Sequence, residues 1–369
     1  MYVKSIKLIN FRNYRKIDIQ LNSKLNVFLG DNAQGKTNLL ESIYICSNGK
    51  SYRTNRDKEL INLDKDKAYI GLEVQKEHFN KYIEVKFEKD KSKRIRVNKV
   101  ELDKVSDLIG QLNVVIFSPE DLKLVKEGPS ERRVFLDNEI SQIKPKYRYN
   151  LSRYNKILIQ RNNLLKIAQH DRKKLKIMDV WDTQLSSVGS EIILSRVDFL
   201  NKLSLISQDI HKKLTGNNEE LVLKYVSSFK IKDMDKLEVQ SCFKRILENN
   251  IDKDIEKGTT EFGPHRDDID IIIDGLSSRT FGSQGQQRTA ALSLKLAEVE
   301  LINMETGEYP VLLLDDVLSE LDYNRRRYLV STFKDIQTII TSTDDIDTSE
   351  LVNVDKSVFK IKRGNVLWE

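Results

Sequence analysis

The sequence predicts an α/β fold interrupted by a large, mainly helical insertion. Three observations carry this expectation. First, Gly30-Asp31-Asn32-Ala33-Gln34-Gly35-Lys36-Thr37 is a complete G-x-x-x-x-G-K-T loop, entered from the apolar run Leu25 to Leu29 and left through helical spacing. Second, Val311-Leu312-Leu313-Leu314 ends in Asp315-Asp316, the pattern of a buried strand that delivers carboxylates at its tip. Third, after Pro119 the period-2 pattern gives way to helical spacing and returns only near Ile269.

The elements follow in order. Residues 1–29 read as two short amphipathic strands and a buried one, with Ile17, Ile19 and Leu21 alternating. Lys36 to Ile45 reads as a helix with Leu39, Leu40 and Ile43 on one side. Ile70/Leu72/Val74, Ile83/Val85/Phe87 and Ile95/Val97 alternate between charged turns, which predicts an antiparallel sheet. Val114 to Phe117 is a further buried strand, closed by Ser118-Pro119. Leu151/Tyr154/Leu158 with Leu164/Leu165/Ala168 predict one helix, and Trp181/Leu185/Val188/Ile192 with Val197/Leu200/Leu203 a long second one. These stripes are read as a helical core. The β pattern returns at Ile269/Ile271/Ile273, before a turn at Asp274-Gly275. A helix near Gln286 carries Ala290, Leu294, Ala297 and Leu301; the Val311–Leu314 strand, a helix from about Tyr323 and a Thr338–Thr341 strand come next. The expected division is a head formed by 1–120 and 263–369, with a helical lid at 121–262.

Composition excludes several classes. Charged residues make up 32% of the 369, and no apolar run approaches the roughly 18–20 residues that span a bilayer. The chain enters a strand pattern at once (Val3, Ile6, Leu8, Phe11), so a cytoplasmic protein with no membrane contact is expected. Cys46 and Cys242 form no disulfide framework and no C-x-x-C pair. Net charge is +6, but from Lys144 to Lys176 eleven Lys/Arg face a single Asp. That run is either a solvated helix face or a surface for a phosphate backbone.

The chemistry-bearing residues come in a fixed order. In the first loop, Gly30 through Gly35 turn backbone N–H groups toward phosphates, Lys36 reaches the β- and γ-phosphates of ATP, and Thr37 holds Mg²⁺. Asp315, at the end of its apolar strand, is a second Mg²⁺ ligand, since a buried carboxylate must be paired or metal-bound. Before the helix near Gln286, Ser283-Gln284-Gly285-Gln286-Gln287 offers a hydroxyl, a small residue and a helix N-terminus. This order resembles the ATP-binding-cassette (ABC) ATPases, with Ser283-Gln284-Gly285-Gln286-Gln287 as the signature. In that class the signature completes the site of a second subunit. The resemblance therefore implies a head-to-tail homodimer with Ser283, Gly285 and Gln286 on the partner's nucleotide and Ser319-Glu320-Leu321-Asp322 along the seam. Asp316 stands where these enzymes place a catalytic Glu, one methylene longer. Thr343 stands at the switch-histidine position, and no clear Q-loop Gln follows Phe117. Both points imply slow hydrolysis.

More specific blocks narrow the resemblance. Asn10-Phe11-Arg12-Asn13-Tyr14, Gly49-Lys50-Ser51-Tyr52-Arg53, Phe117-Ser118-Pro119-Glu120-Asp121, Arg132-Arg133 with Phe135-Leu136-Asp137, and Gly263-Pro264-His265-Arg266-Asp267-Asp268 together resemble the bacterial RecF family of recombinational-repair ATPases. Glu127 departs from the family's usual Gly before Gly128. The resemblance implies that Arg12 approaches the nucleotide phosphates and that the His265 segment lies near the nucleotide. It also implies ATP-dependent dimerisation, weak DNA-stimulated ATPase activity, and binding to single-stranded, gapped or junction duplex DNA. RecR is the expected protein partner. An SMC-type ATPase would need a far longer heptad insertion, and a transporter subunit would lack the lid. A clamp that binds ATP without hydrolysing it remains the alternative.

Overall fold

The computed structural model describes residues 1–77, 79–318, 321–332, 336–343 and 355–368. β1 (Tyr2–Phe11), β2 (Tyr14–Gln20) and β3 (Leu25–Leu29) lead into the phosphate loop, and α1 (Lys36–Asn48) leaves it. β4 (Lys67–Gln75), β5 (Asn80–Glu88), β6 (Arg94–Val97) and β7 (Val100–Glu101) form a meander before β8 (Val114–Phe117). Next come α2 (Lys123–Lys126), α3 (Pro129–Ile143), α4 (Pro145–Ala168), α5 (Met178–Thr215) and β9 (Leu221–Val226). They are followed by α6 (Lys236–Asn249), α7 (Ile251–Lys257), β10 (Asp268–Ile273), β11 (Leu276–Ser277) and α8 (Ser278–Phe281). The remaining elements are α9 (Gln284–Thr306), β12 (Val311–Asp315), α10 (Tyr323–Thr332), β13 (Thr338–Ser342), β14 (Lys356–Lys362) and β15 (Asn365–Trp368).

The chain divides into two units, Met1–Asp121 with Lys295–Glu369, and Leu122–Leu294. In the first, the order β15-β14-β3-β13-β12-β8 makes a sheet that is parallel from β14 to β8. β3, β8, β12 and β13 are buried at every residue, which is why they read as continuous rather than alternating apolar runs. The second sheet, β2-β1-β4-β5-β6-β7, is antiparallel throughout. Its alternation is in register: Leu8 faces Ile17, and Leu72 faces Ile83. Those side chains join Leu39, Leu40 and Ile43 of α1 in one core, each full burial contributing about 1.5–3 kcal/mol. The antiparallel sheet thereby clamps the helix that carries Lys36 and Thr37.

The second unit is built on α4 and the 38-residue α5, about 57 Å long at 1.5 Å per residue. On α4 the buried face is Tyr147, Asn150, Tyr154, Ile157, Arg161, Leu164, Leu165 and Ala168. Arg161 is fully buried. Its Nε donates to Asp182 (2.6 Å) and its Nη1 to Asp254 (2.7 Å) and Thr260 (2.8 Å), tying α4 to α5 and α7. The expectation of a mostly helical middle overlooked β9. β10 pairs along all of it, from Asp268 with Val226 to Ile273 with Leu221. The segment from 263 to 294 consequently groups with the insertion, and the second junction falls inside α9 rather than at 263. Glu127 sits at φ −85°, a conformation open to any residue, so the departure from Gly there imposes no strain. No helix among the described residues is long and apolar enough to cross a membrane.

Candidate nucleotide-binding site

The loop after β3 turns through positive φ three times, +155° at Gly30, +64° at Ala33 and +119° at Gly35, a region that glycine enters without steric cost. A Cβ on Gly30 would lie 2.4 Å from the Ile361 carbonyl oxygen, and one on Gly35 2.5 Å from Asn13 Nδ2. Both glycines are required by close approach as well as by φ. Lys36 is 7% exposed, and its ammonium donates to the carbonyls of Gly30 and Asp31, the latter at 3.0 Å. The charge is thus turned into the loop, where a phosphate oxygen could replace a carbonyl.

Two further segments brace this loop. Asn13 Nδ2 donates to the Gln34 carbonyl (2.7 Å), Asn38 Nδ2 to Asn13 Oδ1 (2.9 Å), and the Tyr14 hydroxyl to the Gly35 carbonyl (2.9 Å). The turn between β14 and β15 was not anticipated here. Arg363 N–H donates to Gln34 Oε1 (2.7 Å) and Gly364 N–H to the Gln34 carbonyl (3.1 Å). Gly364 has φ +71°, and a Cβ on it would lie 2.4 Å from the Asn13 carbonyl oxygen. Gly364→Ala is expected to push the turn off Gln34 and weaken nucleotide binding about tenfold, the equivalent of about 1.4 kcal/mol. Titration with a fluorescent ATP analogue measures this, and unchanged affinity would remove the turn from the site.

Asp315 closes β12 beside the loop. Its Oδ1 accepts from Thr37 Oγ1 (2.9 Å) and from Thr341 Oγ1 (2.9 Å), and the Tyr52 hydroxyl reaches Oδ2 at 3.5 Å. Burial, with the Asp315 charge added, raises the Tyr52 pKa, so its hydroxyl remains a donor. Thr341 arrives because β13 lies between β3 and β12 in the sheet. Asp316 adopts φ +56°, uncommon for a residue with a side chain, and its N–H donates to the Thr341 carbonyl and hydroxyl, both at 3.2 Å. Among the described residues no group of three His, Cys, Asp or Glu could cage a metal. One carboxylate and one hydroxyl are nevertheless a donor set that suits Mg²⁺, which takes its other ligands from water and phosphate.

Arg12 belongs to the same unit, but its guanidinium is engaged elsewhere. It grips the buried Glu41 with two bonds, at 2.9 and 2.6 Å, and donates to the Glu59 carbonyl at 2.9 Å. Ser51 Oγ and Arg53 also meet Glu41, at 2.5 and 3.5 Å. The Asn10–Tyr14 and Gly49–Arg53 blocks therefore share one carboxylate that the sequence had not singled out.

The signature segment lies in the second unit. Ser283 caps α9: its Oγ accepts from Gln286 N–H (3.2 Å), while Gln286 Oε1 accepts from Ser283 N–H (2.9 Å), a reciprocal capping box. Ser283, Gln284 and Gly285 are exposed, and Gln286 Nε2 is held by Glu219 (3.1 Å). The Arg132–Asp137 and Gly263–Asp268 blocks, read separately in the sequence, bond to each other in this unit. Arg132 meets Asp268 through two bonds (2.7 and 2.9 Å), and Arg133 donates to the Asp267 carbonyl (2.9 Å). His265 is wedged between the Tyr154 hydroxyl (2.8 Å) and the Thr260 carbonyl (3.0 Å). Burial pushes its pKa down to about 4, so it is neutral near pH 7. In the basic run, Arg161 is internal, and Lys144, Lys146 and Arg172 pair with Asp198, Glu191 and Asp252. Lys173, Lys174 and Lys176 are exposed. Of the expected seam, Ser319 and Glu320 lie outside the described residues, as does Asp344 beyond Thr343.

A loop whose lysine is turned inward and whose threonine meets the carboxylate of a strand one removed, on a mostly parallel sheet flanked by an antiparallel one, defines an ABC-type ATPase head. Comparison with known proteins narrows the class. The RecF/RecN/SMC N terminal domain family matches residues 2–365. The DNA replication and repair protein RecF of Clostridium novyi (strain NT) is 51% identical over 366 residues, covering 99% of both chains. That of Alkaliphilus oremlandii (strain OhILAs) is 50% identical over 369 residues, covering 99% of this chain and all of its own. This chain belongs to the RecF family. A solved structure of the recombination mediator protein RecF-ATP in the RecFOR pathway superposes with a TM-score of 0.93 at 38% identity, covering 100% of this chain and 97% of that one. An Smc head from Pyrococcus furiosus shares the fold alone, at TM-score 0.56 and 16% identity.

Proposed function

We propose that this chain is an ATP-operated DNA-binding switch of replication and recombinational repair. The observation that carries the reading is one loop in which Lys36 is turned inward onto the Asp31 carbonyl while the adjacent Thr37 bonds to Asp315. In this reading Lys36 exchanges its carbonyl partners for the β- and γ-phosphates of ATP, while the backbone N–H groups of Gly30 to Gly35 cradle them. Thr37 and Asp315 hold Mg²⁺, which when bound neutralises phosphate charge. Arg12 reaches a phosphate only by leaving Glu41.

Ser283, Gly285 and Gln286 serve a second copy of the chain, completing its site, so ATP drives a head-to-tail homodimer. The exposure of Ser283 and Gly285 at the start of α9 supports that role. The dimer binds single-stranded, gapped or junction duplex DNA through phosphates, with Lys173, Lys174 and Lys176 among the contacts, and passes the site to RecR. The relatives' names, which speak of DNA replication, repair and the RecFOR pathway, favour this assignment. Asp316 orients the attacking water. Asp316→Asn is expected to slow single-turnover hydrolysis about 10²-fold or more, and to trap the ATP-bound dimer. An unchanged rate would favour the clamp that binds ATP without hydrolysing it, the reading that Thr343 at the switch position suggests.

A further inference from the structure

We infer that the outer face of the antiparallel sheet is a docking surface for an acidic peptide segment of a protein partner, one that carries a single apolar anchor. Strand alternation puts Ile6, Leu8, Ile70, Leu72 and Val85 into the core, leaving Lys7, Ile9, Tyr69 and Lys86 on the opposite face. A solvated sheet face is ordinarily polar. Here it holds a cleft of about 700 Å³ with Ile9 and Tyr69 in its wall.

The aromatic wall is built rather than incidental. The Tyr69 hydroxyl bonds to that of Tyr82 (2.9 Å) and to Glu84 Oε1 (3.1 Å), and the Lys86 ammonium sits 5.7 Å from the centre of the Tyr69 ring. Gly71 makes room for this. A Cβ there would lie 2.6 Å from the Tyr82 hydroxyl and 2.7 Å from that of Tyr69. A ring already held in place loses little freedom when a partner covers it.

The rim decides the partner's charge. Lys7, Lys67, Lys86, Lys91 and Arg94 line the cleft against Glu84 and Glu88. Lys67 and Lys91 share Glu88, at 3.3 and 2.9 Å, and Lys7 meets Asp18 at 3.6 Å. Among the described residues, Lys86 and Arg94 are in no ion pair with a carboxylate. Surplus positive charge around an apolar wall fits carboxylates flanking one hydrophobic side chain. A nucleic acid fits less well, because Glu84 and Glu88 interrupt the cationic track that a phosphate backbone needs.

The probe is a fluorescein-labelled nonapeptide of glutamates and aspartates around a central leucine, followed by fluorescence anisotropy on the full chain at low salt. Its counterparts are the same peptide with lysines for the acids and a labelled oligothymidine. The wild-type chain should bind the acidic peptide saturably and the lysine peptide not at all. Lys86→Glu combined with Arg94→Glu should weaken the acidic peptide about tenfold or more while ATP affinity stays unchanged, which shows the fold intact. Absence of saturable binding, equal binding by the variant, or a variant that loses oligothymidine but not the peptide would each overturn the proposal.

Discussion

Lys36→Ala is expected to lower ATP affinity and turnover by about 10²-fold or more, the scale on which a pre-placed electrostatic donor acts in a water-poor site. Three facts set that size. The side chain is 7% exposed, its charge is directed inward by the Gly30 and Asp31 carbonyls, and no other cation is bonded to those two oxygens among the described residues. Removing it leaves two carbonyl oxygens facing the position of a phosphate. The loop would change from attracting an anion to repelling one. The fold should persist, since the braces from Asn13, Tyr14, Arg363 and Gly364 are untouched. Calorimetric titration with ATP·Mg²⁺ reads the loss directly. Affinity within a few-fold of wild type would refute the assignment of this loop.

Ser283→Arg is expected to leave the monomer's nucleotide affinity near normal and to abolish the ATP-driven dimer, because bulk is placed where the partner's γ-phosphate must approach. The substitution also removes the α9 cap, which costs about 1 kcal/mol on its own. Ser283→Asp separates the two effects. Aspartate caps a helix as well as serine, yet sets a negative charge against the phosphate. Both variants should therefore fail to dimerise while only the arginine variant is destabilised. A dimer that survives Ser283→Asp would remove the in-trans role of the signature.

Some of this was legible in the sequence because its cause is local. The phosphate loop needs glycines at set positions. A strand buried on both faces reads as an unbroken apolar run. The turn to helix at Lys36 follows from residue spacing alone. What escaped depends on partners distant in the chain. Thr341 and Tyr52 meet Asp315 only because β13 lies between β3 and β12 and the 49–53 segment folds beside them. Gly364 looked like any turn glycine until its neighbour proved to be the Asn13 carbonyl. Arg132 and Asp268 stand 136 positions apart. Arg161 is different, because a signal was present. Tyr154, Ile157, Leu164, Leu165 and Ala168 share its helical face, so the spacing already placed that arginine inside. Counting it with the basic run hid the point. β9 was missed because six residues with little alternation compete poorly against the helical pattern around them.

The central claim is that ATP joins two copies of this chain through Ser283. Light scattering on the 42.9 kDa protein tests it most directly, with ATP, with ADP and without nucleotide, each in the presence and absence of gapped DNA. The account predicts the monomer mass without nucleotide and twice that mass with ATP, retained on DNA and lost with ADP. One and the same mass under all of these conditions would contradict it.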